Sequence, residues 1–412
     1  MTTLERYLPR CRIFLLDGQK FRTNLLVLFF ELPLRRETAT KTALLAEILK
    51  RGEEPAKPAR QAEELYGALW DVSVVKKGDR QLLLFSLETL KAVEMEDALS
   101  FLRERALRPL EKGSFNEKAV ERQKAILKRK LDSLRDDKKT FARRRALEET
   151  AEGAAFAISG DGYVEDLDEI NAKNLFTWYQ DIVEKEEVKI FFCGEKEEKP
   201  KVLSLRRYFQ GRVAVTEKEE QESDKHESPR FIQEHTDAEQ ARLLLGFQAD
   251  VENSRRQAAL LLLNQLLGGD PDSVLFQQIR EEQGLCYDIK SYRYPLSPYL
   301  FVQAGIKEED AKETGKLILK CLEKLKKEGV SPEKLQQAKE SILRDYDGLA
   351  DSPWAMVDFF AEQALQGKKL STERFLRYIE KTEAEDIIRA AHHLKLKTVY
   401  LLSGKEGNYG EN

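Results

Sequence analysis

The chain is poor in the residues on which several classes of protein depend. Among its 412 residues are only four cysteines, Cys11, Cys193, Cys286 and Cys321, and they lie far apart. Their number and spacing exclude a disulfide scaffold and a C-x-x-C zinc or redox motif. Glycine and proline, with 22 and 12 residues, are too few for a collagen-like or low-complexity chain.

Long apolar runs and an excess of positive charge are also missing. The longest apolar stretches, such as Leu25–Phe30 and Ala258–Leu263, are far shorter than the roughly 20 residues of a membrane-spanning helix. The first twelve residues carry Glu5, Arg6, Arg10 and Arg12 and contain no signal-peptide core. The net charge of −4 gives no general affinity for nucleic acid. We therefore expect a cytoplasmic protein with no membrane span and no nucleic-acid partner.

What is present is a globular composition with one interruption near its midpoint. The chain is 41% apolar and 34% charged, which suits two or three folded domains. Residues 216–229, TEKEEQESDKHESP, offer almost nothing that could be buried. We interpret this segment as a charged linker between an N-terminal domain, residues 1–215, and a C-terminal domain, residues 230–412.

The two halves repeat the same order of patterns. A strand-like run and a helix-like run, Thr23–Leu32 and Thr40–Lys50, are matched by Gln240–Phe247 and Arg255–Leu267. Each half continues with a helix and two strands, predicted over Pro58–Leu69, Val72–Lys76 and Gln81–Leu87 and over Ser273–Gln283, Leu285–Tyr292 and Tyr299–Ile306. The halves end alike, in VKIFFCG and TVYLLSG. The sequence predicts an α+β fold of two homologous α/β sandwich domains, each an antiparallel-type sheet with helices on one face.

The run LLNQLLGGDPDSVLFQQIREEQGLCYDI, residues 262–289, resembles the second-domain signature of the insulinase/pitrilysin-like zinc peptidases, the inverzincins. The chain as a whole is similar to the non-catalytic subunit of bacterial heterodimeric members and of the mitochondrial processing peptidase. The resemblance implies two similar domains per chain and two chains that close around a chamber.

The zinc motif that the resemblance implies has been lost. Family enzymes bind zinc through the two histidines of H-x-x-E-H on one helix face, and the glutamate accepts a proton from zinc-bound water. In this chain Leu44 and Ile48 occupy the histidine positions, and only Glu47 remains. Apolar side chains four residues apart form a core stripe and have no lone pair for a metal. The downstream glutamate ligand is replaced by Lys128 or Arg129. We predict that this chain holds no metal and no other cofactor.

No other catalytic group is evident. The four histidines, His226, His235, His392 and His393, contain no pair at i, i+4 spacing. The chain has no G-x-S-x-G motif, and Cys286 has no histidine near it in sequence. We expect the chain to be inactive alone.

Arg280 and Tyr287 are the retained candidates for function. We predict a helix capped by Asp272 or Ser273, with Arg280 in its last turn, Gly284 in the left-handed conformation beyond it, and Tyr287 on the following strand. The resemblance implies that an arginine and a tyrosine here hold a peptide substrate and stabilise the oxyanion opposite the zinc. The alternative is ordinary packing, a solvated helix-end charge and a half-buried aromatic.

Two hypotheses of different classes follow. The first is a zinc-free subunit of a heterodimeric metallopeptidase, in which a homologous partner with H-x-x-E-H supplies the zinc and this chain supplies peptide binding, Arg280 and Tyr287. The rival is a non-enzymatic scaffold or binding protein of the same fold. Isolated, the chain could form a homodimer on either hypothesis. The roles of two surfaces stay open. The basic run Glu121–Glu149 is a solvated helix face or a surface for acidic peptides or nucleic acid. The strand Leu25–Phe30, apolar on both faces, is a covered central strand or a partner surface.

Overall fold

The structure is a computed structural model that describes residues 4–8, 10–52, 56–107, 113–209, 228–237, 240–368 and 371–404. Most of the predicted linker, 216–229, and His226 within it lie outside the described residues. Within these ranges no helix is both long enough and apolar enough to cross a bilayer.

Strands and helices alternate in both halves of the chain. The strands are β1 (Leu4–Leu8), β2 (Cys11–Asp17), β3 (Thr23–Pro33), β4 (Leu69–Lys77), β5 (Arg80–Leu90), β6 (Glu187–Gly194), β7 (Arg230–Thr236), β8 (Ala241–Gln248), β9 (Asp288–Arg293), β10 (Tyr299–Ile306) and β11 (Lys395–Gly404). The helices are α1 (Arg36–Arg51), α2 (Ala56–Glu64), α3 (Met95–Ala106), α4 (Glu117–Asp136), α5 (Lys138–Thr150), α6 (Ala172–Lys185), α7 (Lys199–Leu203), α8 (Ser254–Asn264), α9 (Ala311–Glu328), α10 (Pro332–Leu349), α11 (Pro353–Leu365), α12 (Thr372–Glu380) and α13 (Ala384–His392).

The duplication is visible in the order of strands in the two sheets. The first sheet runs β1-β2-β6-β3-β5-β4 and the second β7-β11-β8-β10-β9. Apart from β1, the two orders correspond strand for strand. The outer pairs, β2 with β6 and β7 with β11, are parallel, and the remaining pairs are antiparallel. The predicted α+β fold with internal duplication is confirmed.

The described residues form two compact units, and neither is one continuous stretch of chain. The first unit draws on Met1–Ser133, Ile158–Gln221 and Gly348–Leu370, and the second on Leu134–Ala157, Glu222–Asp347 and Ser371–Asn412. The first unit therefore contains α11, from the second half of the sequence, and the second unit contains α5, from the first half. The domain boundaries at 215 and 230 stay a prediction.

Each sheet carries helices on both faces, because α11 and α5 cover the faces that the other helices leave open. In the second unit, alternate residues of β8 divide between two cores. Leu243, Leu245 and Phe247 pack with α8 and α9, whereas Leu244 packs with Ala142 and Ala146 of α5. The prediction of helices on one face of each sheet therefore lacks α11 on the first sheet and α5 on the second.

The position of β3 in its sheet decides whether the run Leu25–Phe30 is a covered central strand or a partner surface. It pairs with β5 on one side and β6 on the other, and Leu25–Phe30 are at most 2% exposed. The apolar run is therefore a covered central strand.

The helix predicted to reach Leu69 ends instead at Glu64, because Tyr66 and Gly67 adopt positive φ values of 56° and 74° and turn the chain into β4.

Candidate functional site

The lost zinc motif lies on α1, in the first unit, where it has become part of the core. Leu44 is 0% exposed and Ile48 is 4% exposed, as a core stripe requires. Glu47 is half-buried, and among the described residues no hydrogen bond or ion pair involves its carboxylate. The two positions that would hold a metal are therefore filled by hydrocarbon.

Neighbouring polar groups hold α1 in place through its backbone and its threonines. Trp178 Nε1 donates to Thr42 Oγ1 at 3.1 Å, and Thr42 Oγ1 donates to the Thr38 carbonyl at 3.0 Å. From β5, the buried Gln81 Nε2 donates to the Ala39 carbonyl at 3.1 Å. These contacts orient the helix and leave its former metal-binding face against the core.

Nothing else in the described ranges gathers metal ligands. No group of three or more histidine, cysteine, aspartate or glutamate residues there could hold a metal ion. Lys128 and Arg129, which replace the ligand glutamate, are exposed on α4. His235 Nδ1 lies 3.0 Å from Ser403 Oγ and 3.2 Å from the Gly404 carbonyl, which is a structural role at the edge of the second sheet. This arrangement is compatible with a chain without zinc.

Arg280 lies in the second unit, in a short helix with π-helical geometry over Phe276–Glu281. Its side chain is 42% exposed, and the guanidinium carbon lies 4.6 Å from the centroid of the Phe276 ring. The only acid near it among the described residues is its neighbour Glu281, at 3.7 Å. Stacking on an aromatic ring fixes the plane of a guanidinium and leaves its edge donors free to bind an oxygen.

The turn after this helix matches the prediction in one respect and differs in another. Gly284 has a φ of 66°, and its amide donates to the Arg280 carbonyl at 3.2 Å, as a left-handed glycine at a helix C-terminus does. The predicted side-chain cap is wrong. The Ser273 hydroxyl has no hydrogen-bond partner among the described residues, and its carbonyl accepts the Gln277 amide at 3.1 Å.

Tyr287 stands just before β9, with its ring 53% exposed. Its amide donates to the carbonyl of Gly305 at 2.8 Å, so its backbone is already paired with β10. The strand prediction placed its start three residues early, because regular pairing begins at Asp288. Tyr287 therefore has a fixed backbone and a free aromatic side chain.

Sequence reasoning missed the ion pair that fixes this strand. Arg242 Nη1 lies 2.6 Å from Asp288 Oδ1, and Lys139 Nζ lies 3.4 Å from Asp288 Oδ2. Burial raises the pKa of Asp288, but the two cations outweigh it and hold that pKa below its usual value. Both Asp288 and Arg242 pair with Gly305, whose missing side chain lets the bridge cross β10. A glycine inside the strand YLFVQAGI was the available signal.

Gly268 lies in a π-helical segment, Gln265–Gly269, that directly follows α8 and packs against β9. A Cβ on Gly268 would lie 2.4 Å from the Ser291 amide nitrogen on β9, and the Ser291 hydroxyl donates to the Asn264 carbonyl at 2.9 Å. Gly268 thus lets the helix backbone contact the strand.

The structure does not join Arg280 and Tyr287 to each other. No hydrogen bond or ring contact links the two side chains, although a turn fixed at both ends carries both. Between them, Cys286 is buried, and burial raises the pKa of its thiol to about 11. A thiol with that pKa is a poor nucleophile near neutral pH.

Comparison with known proteins identifies the fold and the family resemblance. Residues 169–342 match the family described as Peptidase M16 inactive domain. A protein of Bacillus subtilis strain 168, named Probable inactive metalloprotease YmfF, is 27% identical over 403 residues, covering 94% of this chain and 95% of that protein. The chain is thus similar to the M16 peptidases and to a relative named as inactive. The resemblance to the insulinase/pitrilysin-like peptidases is confirmed.

Two crystal structures share the architecture of this M16 peptidase-like chain. A conserved protein from Enterococcus faecalis V583 superimposes with a TM-score of 0.85 at 23% identity, over 98% of this chain and 99% of that one. A peptidase M16 inactive domain from Pseudomonas fluorescens gives a TM-score of 0.81 at 18% identity over all of both chains. At these identities the likeness establishes the fold.

Proposed function

We propose that this M16 peptidase-like chain is the non-catalytic subunit of a heterodimeric metallopeptidase. A homologous partner chain with an H-x-x-E-H motif supplies the zinc and the general base. This chain supplies part of the peptide-binding surface, and Arg280 and Tyr287 bind the carbonyl oxygen on which negative charge develops. The relative named as inactive and the match to an inactive domain support the non-catalytic role.

The observation that carries the proposal is the contrast between α1 and the turn after Phe276–Glu281. At the two histidine positions of the zinc motif, the chain has Leu44 and Ile48, whose side chains are buried in the core and cannot bind a metal. At the turn, Arg280 and Tyr287 remain exposed on a backbone held by Gly284 and Gly305. Donors held rigidly before substrate arrives are what oxyanion stabilisation needs, because they cost no reorganisation during the reaction.

The test is steady-state hydrolysis of a quenched fluorescent peptide by the purified pair of chains. Arg280→Ala is expected to lower kcat about 10²-fold or more, as removal of an oxyanion donor does. The matched control is Arg344→Ala, which removes an exposed arginine of α10. Tyr287→Phe removes only the hydroxyl, and Tyr66→Phe, at a 72% exposed tyrosine of the first unit, is its control. Glu47→Gln is expected to leave the rate nearly unchanged, because the flanking Leu44 and Ile48 cannot hold a metal beside it.

Unchanged rates for Arg280→Ala and Tyr287→Phe would contradict the assigned role. If no partner with an H-x-x-E-H motif and one zinc per pair copurifies with this chain, the proposal that it is a peptidase subunit is contradicted. The chain would then be a binding scaffold that keeps the duplicated fold for its surface. Peptide binding by the isolated chain and by the pair, measured by fluorescence anisotropy, separates a binding scaffold from one with no peptide affinity.

A further inference from the structure

A cavity of about 390 Å³ lies within the first unit, between α11 and the sheet face formed by β3, β5 and β4. Its walls include Val27 and Phe29 of β3, Leu84 of β5 and Val357 of α11. The zinc motif is on the opposite side of the sheet, since Gln81 of β5 points to α1 while its neighbour Leu82 points into the cavity. The volume is within the range of small-molecule sites, and the walls are mainly apolar, as those of such sites are.

The second unit shows what the same place looks like when it is filled. Val75 of β4 is paired directly with Leu82 of β5. Counted from the positive-φ glycines that precede the two strands, Gly67 and Gly284, the corresponding pair in the second unit is Tyr292 of β9 with Phe301 of β10. The two aromatic rings stack with their centroids 5.6 Å apart. Arg143 of α5 covers them, with its guanidinium carbon 4.8 Å from the centre of the Tyr292 ring.

The contrast makes the open space in the first unit significant. Protein interiors pack closely, and an empty apolar space is destabilising. One fold, present twice in one chain, is packed with aromatic rings at this place in one unit and lined by serine, valine and leucine in the other. A recess that is filled by side chains in one unit and unfilled in the other is suited to receive a ligand.

The charges around the cavity favour a positively charged group. Lys77 Nζ lies 2.8 Å from both Asp358 and Glu362, so one ammonium faces two carboxylates. Asp71 is paired with Lys50 at 2.5 Å, and Trp354 Nε1 donates to Glu88 at 3.2 Å. Two acids, Asp71 and Asp358, thus line the cavity with one cation, Lys77, and Glu362 lies beside that cation.

Asp358 and Trp354 are partly exposed at the mouth of the cavity, where a ligand can reach them. The side chain of Asp358 is 60% exposed, and the indole of Trp354 is 40% exposed. An aromatic face attracts a cation, and a nearby carboxylate reinforces that attraction. An anionic ligand would meet the excess of carboxylates instead.

We propose that this cavity binds a small apolar molecule that carries one cationic group. The apolar body lies against the half-buried Ser73, Val75 and Leu84, and the cation lies at the mouth between Asp358 and the indole of Trp354. The site is independent of the proposed peptidase role, because it needs neither a partner chain nor Arg280 and Tyr287.

The test compares three probes of one shape with the purified full-length chain by isothermal titration calorimetry. The probes are 1-adamantanemethylamine, 1-adamantanemethanol and 1-adamantanecarboxylate, which are cationic, neutral and anionic at pH 7. The amine is expected to bind at one site per chain and about 10-fold more tightly than the alcohol, with the carboxylate weakest. Tryptophan fluorescence is expected to change with the amine in the wild type, and this change is expected to be lost in Trp354→Phe.

Two variants locate the site. The double variant Val75→Tyr with Leu82→Phe copies the filled second unit and is expected to abolish binding, with the fold checked by circular dichroism. Asp358→Asn, which leaves the cavity walls intact, is expected to reduce the preference for the amine over the alcohol to less than about threefold. Asp345→Asn, at an exposed acid of α10, is the matched control and is expected to change nothing.

Some outcomes would overturn the proposal. Binding of none of the three probes would exclude a site for this class of ligand. Equal binding of amine and alcohol, or preference for the carboxylate, would contradict the charge selectivity. Binding that survives in the folded double variant would place the probe elsewhere on the chain. Should the double variant fail to fold, the Asp358→Asn comparison decides alone.

Discussion

The rings of Tyr292 and Phe301 stack at 17° from parallel on directly paired positions of β9 and β10. The duplicated positions in the first unit carry a valine and a leucine, Val75 and Leu82. The two sheets therefore share their strand order but differ in how the face beneath the crossing helix is packed. That difference is directly measurable as stability.

Truncating a large side chain on this sheet face is expected to have unequal effects in the two units. Phe301 is 0% exposed, and Phe301→Ala is expected to lower the free energy of unfolding by about 3–5 kcal/mol. Leu84 borders the existing cavity and is half-buried, so Leu84→Ala is expected to cost less than about 2 kcal/mol. Urea unfolding followed by circular dichroism compares the two. Equal losses would mean that the cavity is not present in solution.

Restoring the zinc motif is expected to damage the fold without restoring metal binding. The double variant Leu44→His with Ile48→His places two imidazoles in positions that are 0% and 4% exposed. Their burial is expected to cost more than about 2 kcal/mol. Two histidines without a third protein ligand are a weak zinc site. The melting temperature and the zinc content after dialysis are the measurements, with Glu47→Gln as the control. One retained zinc per chain would show that a third ligand is present after all.

How far the sequence predicts the fold depends on whether the interaction is local. The Leu44–Ile48 stripe and the turn at Gly284 were predicted correctly, because each depends on residues within one or two helical turns. The crossing of α5 and α11 was not predicted. The side of α5 that meets the sheet is narrow and made of Ala142 and Ala146, and such a stripe does not say which sheet it will cover.

The same distinction between local and long-range interactions applies to the candidate site. Arg280 in a last helical turn followed by an exposed Tyr287 follows from local pattern and from resemblance. The Arg242–Asp288 bridge across Gly305 depends on the register of three strands, which a single sequence does not give. Locating the cavity likewise needs that register, since only the pairing of Val75 with Leu82 shows where the aromatic pair of the second unit is missing.

A buried lysine gives the first unit an expected dependence on pH. Lys189 is 0% exposed among Glu31, Glu187, Arg12 and Arg80, and burial, only partly offset by Glu187, lowers its pKa to about 7. An unfolded lysine has a pKa near 10.4. Between these values the folded state binds fewer protons than the unfolded state, so the free energy of unfolding rises with pH.

The expected slope from Lys189 is up to about 1.4 kcal/mol per pH unit above pH 7. Urea unfolding at pH 6.5, 7.5, 8.5 and 9.5 measures it, and the difference from Lys189→Met removes the contributions of other titrating groups. Stability that falls with pH relative to Lys189→Met would show instead that the two glutamates hold the ammonium charged.

Replacing glycine by alanine is expected to lower the free energy of unfolding at Gly268 and to raise it at Gly348. Gly268 packs against the strand that follows Tyr287, and a Cβ there would lie 2.4 Å from a backbone nitrogen that cannot move alone. Gly268→Ala is therefore expected to push the helix end from β9 and to lower the free energy of unfolding by about 1–3 kcal/mol, as overpacking does. Gly348 lies in α10, and a methyl group added to it would meet no atom within 4 Å. Gly348→Ala is expected to raise the free energy of unfolding by about 0.5–1 kcal/mol, because alanine loses less backbone entropy in a helix. Both changes add one methyl group, so urea midpoints that move in the same direction would contradict the contact between Gly268 and β9, and midpoints that separate would support it.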